Sequence, residues 1–392
     1  MRILYHHRTL GDGAEGIHVR EMVQAFRRLG HEVKVIGPVG EVLPEQSRKL
    51  RILDWTKRHI PAAFYEILEL GYTLYALWKT RREIGTFQPD FIYERYIIFN
   101  AGTTLGGKSR RVPVCLEVNA PLALERSGEP DERLIFRRLA FAIERWVCSN
   151  ATRTIVVSTP LKDYLESTGV PAGQCTVMPN GVDPAQFAPR PKNSDLLERL
   201  HIPPDCVVVG FTGVLRPWHG LDMLLTAMGN VVRQGCNAVL LVVGDGPYRA
   251  VVDGIVAREC LGSHVRVTGR VPHQQVPDYV ALFDVAVSPR APFYASPMKV
   301  LEYMALGKAV LVPGTPNFLD IIDEQVNGMT FPDGSAAGLE TALVSLCNSP
   351  QACRELGAQA RRKVEARLNW AWNAQEVCRL ISTALGDLRG RS

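Results

Sequence analysis

The chain has 392 residues, of which 46% are hydrophobic and 22% charged, with a formal net charge of +5. That length accommodates two ordinary domains, and the composition is that of a globular protein. So small a charge argues against the concentrated basic face that nucleic acid requires. It is compatible with an acidic small-molecule ligand or with loose contact at an anionic membrane surface.

The nine cysteines are scattered, odd in number and form no C-x-x-C pair. This favours reduced thiols in a cytoplasmic protein over a disulfide framework or a zinc site, and no metal site is expected. The first residues, Met1-Arg2-Ile3-Leu4-Tyr5-His6-His7-Arg8, become charged again too soon for a signal peptide. The apolar segment from Ile60 to Trp78 contains Glu66 and Glu69 and does not read as a membrane span.

In chain order, Ile3-Leu4-Tyr5 opens a strand. The glycine loop Gly11-Asp12-Gly13-Ala14-Glu15-Gly16 follows, then a helix from Ile17 to Leu29 closed by Gly30, then a strand over 31–36. This is the start of a doubly wound parallel sheet. Trp55 to Lys79 is rich in aromatic and basic residues. As a membrane-surface helix it would use Trp55, Phe64, Tyr65, Tyr72 and Trp78 as anchors. Glu66 and Glu69 would repel anionic lipid, so packing of these rings on the N-terminal domain is the favoured reading.

The same grammar restarts at the strand Val207 to Phe211. A loop from Thr212 to Gly220 and a helix from Leu221 to Arg233 come next. A strand from Ala238 to Val243 then ends in Gly244-Asp245-Gly246-Pro247. Short strands follow at 265–267 and 285–287. Pro184, Pro189 and Pro191 mark the seam, giving domains at 1–188 and 189–369, with an amphipathic helix over 370–392 packing back toward the N-terminal domain. The expected architecture is α/β: two Rossmann-like domains facing across a cleft.

The most informative stretch is Ser296-Pro297-Met298-Lys299-Val300-Leu301-Glu302-Tyr303, a loop running into a buried helix before the strand Ala309 to Pro313. Proline at 297 suits the first helical turn, and the free amides there can seat a diphosphate. Glu302 can face the same side and accept hydrogen bonds from sugar hydroxyls. Together these point to a nucleotide-sugar site. The plainer reading of Glu302 is a helix-surface carboxylate paired with Lys299 at i−3.

Several motifs in fixed order resemble glycosyltransferase family 4, the retaining nucleotide-sugar enzymes of the GT-B fold. They are Gly16-Ile17-His18, Gly30-His31-Glu32-Val33, Pro179-Asn180-Gly181-Val182-Asp183, the run from Gly213 to Gly220, Val243-Gly244-Asp245-Gly246-Pro247, Gly269-Arg270-Val271-Pro272, and Ser296 to Gly307. The resemblance implies transfer of a sugar from a nucleotide donor to a hydroxyl acceptor, which could be a glycan, a lipid-linked sugar or a small metabolite. It implies retention of the anomeric configuration, no obligatory metal and no further cofactor. Gly16, Gly213 and Gly244 would approach the donor, and Arg216 would neutralise the departing diphosphate. The main chain at Ser296, Pro297 and Met298 would hold phosphate and sugar oxygens, Glu302 the ribose, and Arg270 and Val271 would lie near the base.

The chain departs from the family pattern at three places. Tyr294 replaces a second glutamate, and His219 stands where a lysine is usual, so that Lys299 would supply the missing cation. Glu117 or Asn119 would serve where a histidine is common. Two further readings compete: a non-catalytic nucleotide- or carbohydrate-binding protein of the same fold, and a nicotinamide-dependent oxidoreductase. Gly11, Gly13 and Gly16 have dinucleotide-loop spacing, but Gly37-Pro38 stands at the second strand's tip where an acidic residue would be needed. The expected location is the cytoplasm, with contact at the inner face of the membrane left open.

Overall fold

The computed structural model describes residues 1–9, 13–37, 61–128 and 134–389. Trp55, Gly11 and Asp12 lie outside the described residues. The chain divides into one unit made of residues 1–179 and 370–392 and a second made of residues 180–369.

The first unit is built on six parallel strands: β1 (Arg2–His6), β2 (Glu32–Ile36), β3 (Phe91–Arg95), β4 (Val114–Val118), β5 (Arg153–Val156) and β6 (Cys175–Val177), in the order β2-β1-β3-β4-β5-β6. The chain leaves β1 for one edge and later returns to its other side at β3. That reversal opens a crevice at the carboxyl ends of β1 and β3. The first helix begins at Gly13, earlier than the sequence suggests, so Gly16 is a buried residue of its first turn and not of a loop.

Helix Ala62–Phe87 carries Glu66, Glu69 and Glu83 on its inward face, all buried and all partnered. Glu66 accepts the backbone N–H groups of Ile135 and Phe136 at 2.7 Å each. Glu69 binds Arg8 and Arg126 at 2.6 Å, and Glu83 binds Lys34 and Lys79. The helix Gly102–Arg110 lies directly on it, because a side chain at Gly102 would meet Thr73 O at 2.1 Å. Of the rings expected to pack inward, Tyr72 does so, stacking on His6 at 6.0 Å. Phe64 and Trp78 do not; both are more than half exposed. The repulsion expected from Glu66 and Glu69 is also removed, since neither carboxylate reaches the surface.

Helix Trp370–Arg389 belongs to this first unit. Trp370 sits edge-on to His18 at 4.7 Å, and Asn373 donates to Pro179 O at 3.0 Å.

The second unit is built on β7 (Val207–Thr212), β8 (Ala238–Val243), β9 (Val265–Val267), β10 (Val285–Val287), β11 (Ala309–Pro313) and β12 (Met329–Phe331). Their order is β12-β11-β10-β7-β8-β9, again all parallel. Every residue of β8 and β11 is buried, as expected of strands covered on both faces. The reversal falls between β7 and β10. The proline-rich stretch 184–193, read from sequence as the seam at 188/189, packs inside this unit. Phe187 is buried in its core, and Arg361 donates to the carbonyls of Pro184 and Phe187. Proline blocks regular structure there without ending the compact body.

Candidate functional site

In the second unit, the loops leaving β7, β8 and β10 meet at the carboxyl edge of the sheet. Gly213 (φ +136°) ends β7, and Gly244 (φ +147°) ends β8. A side chain at Gly244 would lie 2.0 Å from Gly213 O, so the two loops touch backbone to backbone. Gly244 also bridges to Gly269, which draws in the loop carrying Arg270 and Val271. Arg270 is exposed, and Val271 packs partly against the core.

Helix Met298–Ala305 enters from the β10 side. Pro297 is its N-cap, one position outside the first turn expected for it. Tyr303 Oη accepts the backbone N–H of Thr212 at 2.7 Å, pinning this helix to the tip of β7. The preceding loop is held by two asparagines. Asn180 donates from its backbone to Ser296 Oγ (3.0 Å) and from its side chain to Ser296 O (2.8 Å). Asn317 donates to Ala295 O at 2.9 Å. Both anchors are supplied from outside the loop itself.

Lys299 does not pair with Glu302. Its Nζ is buried, without a hydrogen-bond partner, and lies 4.1 Å from the centre of the Phe211 ring. It borders Gly213 so closely that a side chain there would sit 2.9 Å from it. Burial pushes its pKa down to about 7, with Glu302 acting in the opposite direction. Glu302 is itself buried, with Oε1 3.4 Å from His273 Nε2.

Arg216 is exposed at the start of the short turn Pro217–His219 and lies over the Trp218 ring at 5.3 Å. It pairs with no carboxylate among the described residues. His219 is held down at a pKa of about 3, by burial first and then by the Lys299 charge, with a smaller push from Arg216. It is therefore a neutral imidazole near neutral pH and cannot replace a lysine as a charge. The positive charge here comes from Lys299 and Arg216.

In the first unit, a cavity of about 320 Å³ opens at the carboxyl ends of β1, β3 and β4. Asn119 lines it, as do Arg8, Glu15, Arg95 and Glu125. The Nδ2 of Asn119 is buried without a partner. Glu117 is not among the lining residues. It is buried on β4 with Oε1 2.9 Å from His18 Nε2. Arg95 donates to His18 Nδ1 at 2.8 Å, which turns the Nε2–H edge toward Glu117. Burial would raise the Glu117 carboxyl, but His18, and behind it Arg95, outweigh this and hold it below the ordinary range. Gly16 is buried two residues before His18 on the same helix.

Sequence reasoning thus brought Gly213, Arg216, His219, Gly244, Ser296, Lys299 and Glu302 to one edge. It missed Arg8, Arg95, Asn180, His273 and Asn317. Arg8 and Arg95 had a usable signal, since they lie at or just past the ends of strands flanking a chain reversal. For His273 and Asn317 no local pattern exists.

No group of three or more potential metal ligands occurs among the described residues, and no helix among them is long and apolar enough to cross a membrane.

Comparison with known proteins matches residues 15–186 to the model of Glycosyltransferase Family 4 and residues 206–349 to that of Glycosyl transferases group 1. Sulfoquinovosyl transferase of Arabidopsis thaliana is 24% identical over 359 residues, covering 90% of this chain and 67% of that protein. A GDP-mannose-dependent alpha-(1-6)-phosphatidylinositol monomannoside mannosyltransferase of Mycobacterium tuberculosis is 27% identical over 223 residues, or 55% of this chain. That match spans 57% of the mannosyltransferase. Among solved structures, HepE of Anabaena in complex with UDP superposes with a TM-score of 0.73 at 16% identity, covering 98% of this chain and all of that one. At that identity the likeness establishes the fold.

Proposed function

The chain belongs to glycosyltransferase family 4, and on that premise we propose that it moves a sugar from a nucleotide-sugar donor to a hydroxyl acceptor with retention of the anomeric configuration and without a metal. The observation that carries this reading is the buried Lys299 ammonium with no protein partner, set against the Gly213 loop. An isolated buried cation is costly unless an anion meets it. A donor diphosphate would supply that anion and would itself be held by the first amides of helix Met298–Ala305.

In this reading the second unit takes the donor. Glu302 accepts hydrogen bonds from the ribose, with His273 holding the carboxylate's other edge. Arg270 and Val271 flank the base. As the glycosidic bond breaks, negative charge grows on the departing diphosphate, and Lys299 and Arg216 offset it. His219, being neutral, contributes a hydrogen bond only. Ser296 contributes through its free backbone edge, because its hydroxyl and carbonyl are engaged by Asn180. The cavity of the first unit takes the acceptor, where the unpaired Asn119 amide and Arg95 can orient a hydroxyl. Glu117 acts through His18 as a positioning residue. The UDP-bound structural relative supports a nucleotide diphosphate as the donor's leaving group.

The test is a transfer and hydrolysis assay over UDP-, GDP- and ADP-sugars, with NMR of the anomeric proton of the product. Arg216→Ala and Glu302→Ala should each lower kcat/KM by about a hundredfold or more, and a chelator should leave the rate unchanged. Undiminished turnover in both variants would reject the site. Tight diphosphate binding with no transfer to any acceptor would identify a non-catalytic binding protein.

A further inference from the structure

Helix Ala62–Phe87 is inverted in its amphipathicity. Its acids point inward, while its outward stripe at i, i+3, i+4 and i+7 spacing reads Phe64, Ile67, Leu68, Leu74, Tyr75 and Trp78. Each of these six is between 50% and 71% exposed. Contiguous exposed apolar surface of this kind marks an interaction site. Leu105 of the adjoining helix Gly102–Arg110 is a further exposed apolar side chain, at 39%.

Among the described residues of the two helices, the exposed charge beside this stripe is basic. The stripe continues into exposed Arg81 and Arg82, and Arg81 Nε donates to Ser109 Oγ at 3.1 Å. That contact brings the basic last turn of the second helix, with Lys108 and Arg110 exposed, alongside. No acidic residue is exposed on helix Ala62–Phe87: Glu66, Glu69 and Glu83 are all buried and partnered. Arg82 also lies over the Trp78 ring at 5.5 Å, joining the aromatic and cationic parts of the face.

We propose that this face docks on an anionic lipid bilayer, with Leu74, Tyr75 and Trp78 entering the headgroup boundary and Arg81 and Arg82 meeting lipid phosphates. Apolar insertion together with basic residues is the combination that holds an interfacial helix to an anionic leaflet. A protein partner would need acidic groups arranged to match, whereas a bilayer offers apolar depth and diffuse negative charge to any face of this pattern. The inward side of the same helix holds Arg8 through Glu69 and Tyr72, and Arg8 lines the 320 Å³ cavity. The docking itself does not depend on the proposed transfer reaction.

The test is co-sedimentation of the full chain with vesicles of phosphatidylcholine alone and of phosphatidylcholine carrying roughly one quarter phosphatidylglycerol. The chain should pellet with the anionic vesicles, less with neutral ones, and less as salt rises. The double variant Leu74→Ser/Trp78→Ser should lower partitioning about tenfold, and Arg81→Glu/Arg82→Glu should abolish the preference for anionic lipid. All these positions are exposed, so an unchanged melting temperature would confirm that the variants are folded. Val326→Ser, an exposed apolar site in the second unit, should bind as wild type does.

Four results would overturn the proposal. One is a folded wild type that does not pellet. Another is pelleting that is indifferent to both double variants. Loss on charge reversal alone would indicate plain electrostatic adsorption. A lipid-free dimer dissociated by Leu74→Ser/Trp78→Ser would show that a second copy covers the face.

Discussion

A lysine ammonium buried beside a phenyl ring, with no hydrogen-bonded partner, destabilises the ligand-free protein. Lys299 is in that position, and its lowered pKa fixes the sign of the effect. Between about pH 7 and its ordinary value near 10.5, the unfolded chain binds the proton that the folded chain has released. Stability therefore rises with pH across that window, and the full penalty applies below it. Lys299→Met should raise the ligand-free melting temperature at pH 7 and should lose nucleotide-diphosphate binding. The gain over wild type should shrink as pH approaches 10.5. Thermal-shift titrations with UDP and GDP across pH would measure both effects, and a lower melting temperature for the variant at pH 7 would contradict them. The lysine was legible as a substitute cation because His219 occupies a position where lysine is usual. That His219 stays uncharged was not legible, since its burial depends on loops distant in sequence.

At the scale of elements, the loop before helix Met298–Ala305 depends on anchors outside itself. Asn180→Ala removes the side-chain hydrogen bond to Ser296 O, leaves the backbone one to Ser296 Oγ, and should cost about 1 kcal/mol of stability. Donor affinity should fall more than that loss of stability explains, because the loop would no longer be held for its ligand. Calorimetric binding of UDP to the still-folded variant would check this. Gly244→Ala forces a side chain against Gly213 O in a backbone region that alanine avoids, and should cost ~3 kcal/mol by chemical denaturation. The helix Leu221–Arg233 and the strands Ala238–Val243 and Ala309–Pro313 were legible in the sequence because their apolar patterns are unbroken. Strands β3 and β4 were not read as elements in that way. Buried Glu94 and Glu117 interrupt them, and the groups that satisfy those carboxylates come from elsewhere in the chain. Helix Ala62–Phe87 did carry a usable signal: positions 66, 69, 76, 80, 83 and 87 form one buried stripe, which places the glutamates inside.

At the scale of the whole molecule, the first unit is discontinuous. Trp370, Ala374, Val377 and Ile381 are buried in a helix that follows the entire second unit in sequence. Truncation after Asn369 should strip the cover from helix Gly13–Arg28 and lower the unfolding transition of the first unit by about 10 °C or more, at roughly 2–4 °C per kcal/mol lost in a body of this size. The second unit, residues 180–369, should keep its transition and its binding of nucleotide diphosphate. Differential scanning calorimetry of the full and truncated chains would resolve the two transitions. A single, equally shifted transition would show that the two units unfold together.

The sequence alone determined that the chain repeats a strand–loop–helix grammar twice and that glycines end key strands, because periodicity and backbone freedom are local properties. It also placed Lys299 and Glu302 on one short helix. Tertiary structure decided which charges are satisfied. Glu117 is taken up by His18, Lys299 is left without a partner, and three glutamates turn inward to leave an apolar helix face outside. Burial and pairing are set by residues far apart in the chain, and no local pattern specifies them.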